Sequence, residues 1–146
     1  MRNSLRSFMG LLAALLLLTA ILPVARAEES VKAVYHLTEG IDQASRALGN
    51  IRNHMRADPG AKIVVVANGD GIKFLLSGAT ARNGRPFDGQ VAALAEQGIE
   101  FRVCANTLSA HDVPVSRLLP EAKLVQSGVA EVARLQAREG YAYLRP

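Results

Sequence analysis

The stretch Lys62-Ile63-Val64-Val65-Val66-Ala67 constrains the fold more than any other. After its leading lysine it is wholly apolar and mostly β-branched, with no polar residue at alternate positions. A strand with one face in water alternates, whereas a strand covered on both faces does not. The run is therefore expected to be a central parallel strand, buried between helices laid over both faces of its sheet.

Strand and helix patterns alternate around it. Val31-Lys32-Ala33-Val34-Tyr35-His36-Leu37 reads as a first strand, and Ile41, Ala44, Leu48, Ile51 and Met55 then recur at helical spacing until Asp58-Pro59-Gly60. The central strand is followed by the turn Asn68-Gly69-Asp70-Gly71, a short apolar piece from Ile72 to Leu76, and a loop from Ser77 to Pro86. Asp88 is expected to cap a helix carrying Val91, Leu94 and Ala95, with Gly98 just past its end. The run ending in Val103-Cys104 is a third strand, and Asn106 to Asp112 makes one or two helical turns, limited by Pro114 and Pro120. Lys123-Leu124-Val125-Gln126 is a fourth strand. Ser127-Gly128 opens a helix through Val129, Val132, Ala133 and Leu135 that ends near Gly140, and Tyr141-Ala142-Tyr143-Leu144 closes the chain as a short strand. Strand followed by helix, repeated, predicts an α/β fold with a mainly parallel sheet of about five strands.

Residues 1–27 do not fit that pattern. Arg2 and Arg6 form a positive start, Met9 to Leu22 is almost wholly apolar, and Ala25-Arg26-Ala27 is the small-x-small pattern cut by a signal peptidase. We expect a cleaved signal peptide, export to the periplasm, and a single domain over residues 28–146. An uncleaved membrane anchor is the competing reading, weakened by Pro23 and by the cleavage pattern. No cysteine lies near the cut to carry a lipid, and Arg2 and Arg6 are not adjacent, so the twin-arginine route is not indicated. Once cleaved, the chain is expected to have no attachment to the membrane.

The charge balance then changes. Of 17 basic residues, Arg2, Arg6 and Arg26 belong to the leading segment, which leaves 14 against 13 acidic ones. A nucleic-acid binder needs a basic stripe to meet phosphates. The remaining chain mixes its charges without one, so that class is excluded.

Cys104 is the one cysteine of the chain, so it cannot form an intrachain disulfide. It is buried and inert, paired with another molecule, or reactive. In a parallel sheet all carboxyl strand ends lie on one edge, where open α/β sheets bind ligands. That edge should gather His36-Leu37-Thr38, Asn68-Gly69-Asp70, Cys104-Ala105-Asn106 and Gln126-Ser127-Gly128. A thiol beside a helix start gains from unpaired N–H groups and is more readily ionised. His36 is a possible helper, as base or hydrogen-bond donor, if strands one and three are neighbours. Asn68, Gly69, Asp70, Asn106 and Ser127 are candidate ligand-binding residues. The glycine-rich turn reads either as a backbone anion cradle or as a plain turn that lets the next segment pack closely, with Asp70 orienting a neighbour or capping. Ser127 is most simply a helix cap.

Other chemistries find no support. A zinc site needs three or four suitably spaced ligands, and one cysteine with His36, His54 and His111 scattered does not supply them. No cofactor motif is present: the turn lacks the Gly-Lys-Ser/Thr of a phosphate loop and is not Gly-x-Gly-x-x-Gly. There is no Gly-x-Ser-x-Gly elbow. His54 and His111 are expected on the surface, and Arg82 and Arg85 are expected to be solvated, to meet a sulfur oxyanion, or to meet a neighbouring subunit.

The Val-Tyr-His-Leu-Thr-Glu-Gly opening, the Val-Val-Val-Ala-Asn-Gly-Asp-Gly strand and turn, Cys104 at its strand end, and Ser127-Gly128-Val129-Ala130-Glu131 with Gln136-Ala137-Arg138-Glu139-Gly140-Tyr141 resemble the DsrE/DsrF-like family, most closely an exported, little-characterised branch. The resemblance spans essentially all of residues 28–146. It implies a three-layer α/β/α sandwich, a homo-oligomer (trimer or hexamer), and a cysteine that accepts and passes on sulfane sulfur as a persulfide, here Cys104, between donor and acceptor proteins. The departure is the leading segment, because the sulfur-relay members work in the cytoplasm. The function expected is thus an exported sulfur carrier of the sulfurtransferase type. A non-catalytic ligand- or protein-binding subunit with a structural cysteine is the alternative, and an oxidant-sensing thiol is a third reading.

Overall fold

A computed structural model describes residues 30–146, and the expected signal peptide lies outside them. The strands are β1 (Lys32–Leu37), β2 (Lys62–Ala67), β3 (Glu100–Cys104), β4 (Ala122–Val125) and β5 (Ala142–Leu144). The helices are α1 (Gly40–Ala57), α2 (Asp88–Ala95), α3 (Ala105–Ala110) and α4 (Gly128–Glu139), with 3₁₀ turns at Gly69–Leu75 and Val115–Arg117. All strand pairs are parallel, in the order β4-β3-β2-β1-β5. The β-branched run β2 sits at the centre, with all five residues after Lys62 buried.

The layering follows from the handedness of crossovers. From β1 to β4 the chain steps across the sheet in one direction, so right-handed connections place α1, α2 and α3 on one face. There Ala33, Tyr35 and Leu37 of β1 meet Ala44, Ala47, Leu48 and Ile51 of α1, Ile72, Phe74 and Leu75 of the 3₁₀ turn, Val91 and Leu94 of α2, and Leu108 of α3. The connection from β4 must then return past β1 to β5. The same handedness sends α4 over the opposite face, where Val132 and Leu135 cover Val34, Val64 and Val66. The result is an α/β/α sandwich.

Several element boundaries differ from the sequence reading. Asp88 is the first helical residue of α2 and not its cap; the cap position is Phe87, itself in helical backbone. Phe87 is fully buried against Phe74, ring centroids 5.8 Å apart, and aromatic packing sets where α2 begins. Helix α2 stops at Ala95, so Gly98 serves the turn into β3, at φ +90°. His54 is not a free surface residue, because its Nδ1 bonds the Tyr35 hydroxyl at 3.1 Å. Arg82 pairs with Asp42 of α1 at 2.6 Å.

The turn after β2 is packed against the end of β1. A Cβ built on Gly71 would lie 2.1 Å from the Leu37 carbonyl oxygen, so only glycine fits there. Gln43, buried in the first turn of α1, accepts the backbone N–H groups of both Thr38 and Glu39 at 2.8 Å. It ties down the two residues that lead into that helix, whose capping residue Glu39 makes no side-chain cap. These two contacts hold the carboxyl edge of the sheet in place.

Candidate functional site around Cys104

In an open α/β sheet the ligand crevice forms between neighbouring strands whose connections leave toward opposite faces. Here those strands are β3, followed by α3 on one face, and β4, followed by α4 on the other. Cys104 ends β3 and pairs in register with Val125 of β4. The thiol therefore sits at the topological switch point. It also occupies the residue that caps α3 and lies beside the first residue of α4.

The four strand ends converge as expected. His36 Nε2 bonds Asn68 Oδ1 at 2.7 Å, the Gly69 N–H donates to Thr107 Oγ1 at 3.1 Å, and the Asn106 carboxamide oxygen accepts from Gln126 Nε2 at 2.8 Å. Gly128 closes the group. A Cβ added to it would be 3.0 Å from Asn68 Cβ and 3.3 Å from Cys104 Cβ. Absence of a side chain lets the start of α4 settle directly on the thiol.

The electrostatics follow from that approach. Burial acts to raise the Cys104 thiol, but the Thr107 hydroxyl and the backbone N–H groups of Gly128, Thr107 and Asn106 outweigh it. The net effect holds the thiol below its ordinary value, toward the thiolate. When protonated, it can donate to the Gln126 carbonyl, at 4.0 Å. The residue is 6% exposed, so the sulfur lies just beneath the surface and not on it.

The expected helper is corrected by the strand order. Because β2 separates β1 from β3, His36 is not beside Cys104; it bonds Asn68 and, at 3.1 Å, the hydroxyl of Tyr143. The other candidates divide between the site and its scaffold. Asn106 adjoins the thiol through its backbone N–H and Asn68 lies against Gly128, while the Gly69 N–H is taken up by Thr107. Asp70 faces solvent and pairs with Lys73 at 2.9 Å, which lowers its carboxyl. Ser127 caps α4 by accepting the Ala130 N–H at 3.4 Å.

Thr107 was not among the residues singled out from the sequence, and Gly128 entered the site only as the last residue of the strand end Gln126-Ser127-Gly128. Thr107 had a signal, a hydroxyl three places after the residue that caps a helix, where a side chain can turn back on the cap. The close approach of Gly128 joins parts of the chain far apart and had none.

Helix α4 is held at this angle by charge. Arg102, two residues before Cys104 on the same face of β3, bonds Glu131 of α4; their side chains are 15% and 12% exposed. Glu100 and Arg134 extend the network at 3.0 and 2.8 Å. The Glu131 carboxyl is lowered chiefly by its bond from Arg134, with burial opposing and Arg102 adding to the effect. A carboxylate lowered in the folded state stabilises the fold fully above its unfolded value and ceases to as pH falls through its folded value. Glu131→Gln is expected to cost about 2 kcal/mol at neutral pH. Urea titrations should show that difference shrinking below about pH 4; a difference that stays constant into strong acid would refute the charge-based role.

Comparison with known proteins agrees with this geometry. The model of the DsrE/DsrF-like family matches residues 4–146. The chain belongs to the DsrE/DsrF-like family. Among solved structures, the protein of unknown function MTH1491 from Methanobacterium thermoautotrophicum is 32% identical to this DsrE-like chain, with a TM-score of 0.72 over 80% of this chain and 100% of that one. The ychN protein from E. coli shares the fold at 12% identity, with a TM-score of 0.64 over 82% of this chain and 100% of that one. No curated protein matches significantly.

Proposed function

We propose that this DsrE-like protein is an exported sulfur carrier in which Cys104 is held as a thiolate and loaded as a persulfide. The observation that carries the reading is the place of the one cysteine at the switch point of the sheet, capping α3 and closely approached by the start of α4, where its thiol is held below its ordinary value. The chemistry needs nothing further. The Cys104 thiolate attacks the outer sulfur of a donor persulfide R–S–SH, a new S–S bond forms, the donor's S–S bond breaks, and its electron pair leaves on R–S⁻. The terminal proton stays on the transferred sulfur, and transfer to an acceptor thiolate is the same step reversed. The proposal includes cleavage after Ala27, a periplasmic location, a trimeric or hexameric assembly, and donor and acceptor proteins for the sulfur.

Incubating residues 28–146 with polysulfide or thiosulfate and weighing the intact protein tests the chemistry. Mass additions in whole sulfur atoms that disappear in Cys104→Ser are the expected result. The burial of Cys104 favours a second reading, a ligand- or protein-binding subunit in which the cysteine only fills space. That reading expects an unmodified protein whose thiol resists alkylation until unfolded, an outcome that removes the carrier function and leaves the fold assignment intact.

A further inference from the structure

We infer that the hydrogen-bonded chain Tyr143, His36, Asn68 belongs to the site: His36 is a positioning residue that turns the Asn68 carboxamide so that its NH₂ group donates to the outer sulfur of a Cys104 persulfide. The inference deepens the carrier reading and rests on it, because the group it names is the loaded form of Cys104.

Asn68 departs from a local preference. It holds the capping position of the 3₁₀ turn Gly69–Leu75 in extended backbone, where an asparagine ordinarily gives its side-chain oxygen to the N–H groups that follow, yet it makes no side-chain cap. The oxygen meets His36 Nε2 instead, at 2.7 Å. A carboxamide oxygen only accepts, so Nε2 carries the proton. In the neutral ring Nδ1 then accepts, and the Tyr143 hydroxyl donates to it at 3.1 Å. The Tyr143 ring stands edge-on to the imidazole, with centroids 5.7 Å apart, and steadies it.

With its oxygen held by His36, the Asn68 carboxamide presents its NH₂ group on the other side. Asn68 follows Val66 by two residues in extended backbone, so it lies on the face that α4 covers. Ala67 pairs with Val103, which makes the next two residues, Asn68 and Cys104, lateral neighbours about 5 Å apart. Both of their Cβ atoms lie within 3.3 Å of the point where a Gly128 Cβ would stand. Among the described residues Asn68 Nδ2 takes no partner, and the one buried side-chain atom without a partner is Asp88 Oδ1, so Nδ2 reaches open space. It does not bond Cys104 Sγ. A second sulfur extends that side chain by about 2 Å, the length of an S–S bond, and brings an acceptor within reach of the donor. A hydrogen bond to an ionised acceptor is among the stronger ones, so the donor favours the persulfide anion.

The test compares iodoacetamide alkylation across pH for two forms of the protein, the unloaded thiol and the form loaded from polysulfide, each read by intact mass. Without the donor the persulfide is about tenfold less ionised below its midpoint, and the anion that remains is about threefold more nucleophilic. Asn68→Ala is therefore expected to slow the loaded form about threefold below the midpoint and speed it about threefold on the alkaline plateau. The unloaded profile should superimpose on the parent's. His36→Leu should shift the loaded profile in the same direction, and His36→Gln, which keeps a donor for the Asn68 oxygen, should restore it.

A loaded Asn68→Ala profile that matches the parent's would overturn the inference. So would an equal change in both forms, which altered packing alone would give, or a His36→Leu protein that behaves as the parent. Should the variants not fold, nitrogen NMR of the parent imidazole carries the test. A proton on His36 Nε2 is expected, and one on Nδ1 overturns the inference, because Asn68 would then turn its NH₂ group to the ring. A parent that takes up no sulfur brings down the carrier reading and this inference together, whereas a parent that loads normally confines any failure to the inference.

Discussion

Gly71→Ala is expected to destabilise the domain by about 4 kcal/mol or more, a large part of the stability of an ordinary domain. Its Cβ would lie 2.1 Å from the Leu37 oxygen, 2.4 Å from the Leu37 carbonyl carbon and 2.8 Å from the Thr38 nitrogen, all backbone atoms that cannot rotate aside. Relief requires moving the 3₁₀ turn away from β1, which also withdraws Ile72, Phe74 and Leu75 from the larger core. Gly49→Ala is the control. Gly49 lies within α1 with nothing within 4 Å of an added Cβ, so alanine there should raise stability by about 0.5–1 kcal/mol. Urea denaturation of both variants measures the contrast, and a Gly71→Ala midpoint close to the parent's would show that the close approach is not required.

Gly128→Ala is expected to act mainly on the thiol. Here the added Cβ meets side-chain carbons, Asn68 Cβ at 3.0 Å and Cys104 Cβ at 3.3 Å, and a shift of a few tenths of an ångström relieves it. The cost in stability is therefore modest, about 1–2 kcal/mol. The same shift lifts the Gly128 N–H off the sulfur, and that donor helps hold the thiol down. Alkylation near pH 6 should slow about threefold or more, with the midpoint of the pH profile moved upward. Val129→Ala, at an exposed neighbour, should change neither quantity. An unaltered profile in Gly128→Ala would mean that the start of α4 has no part in activating Cys104.

Much of the site was legible before any coordinates, and the limit of that legibility is physical. Cys104 at a strand end, Ser127 as a cap, and the convergence of four strand ends all follow from alternation of strand and helix, because every carboxyl end of a parallel sheet faces one edge. The role offered to His36 depended on which strands touch. That is decided by crossover direction, and β2 came to lie between β1 and β3. Asp88 had the side chain of a cap, but burial of Phe87 outweighed that preference.

Residue order and hydropathy alone determined the elements, the parallel sheet and the place of β2 at its centre, since periodicity and β-branching act over a few neighbouring residues. Tertiary structure decided which strands adjoin, that β3 and β4 form the switch point, and that Gly128 at the start of α4 closes on Cys104. Those contacts join residues distant in the chain, and their energies depend on distances of a few ångströms that no local pattern encodes.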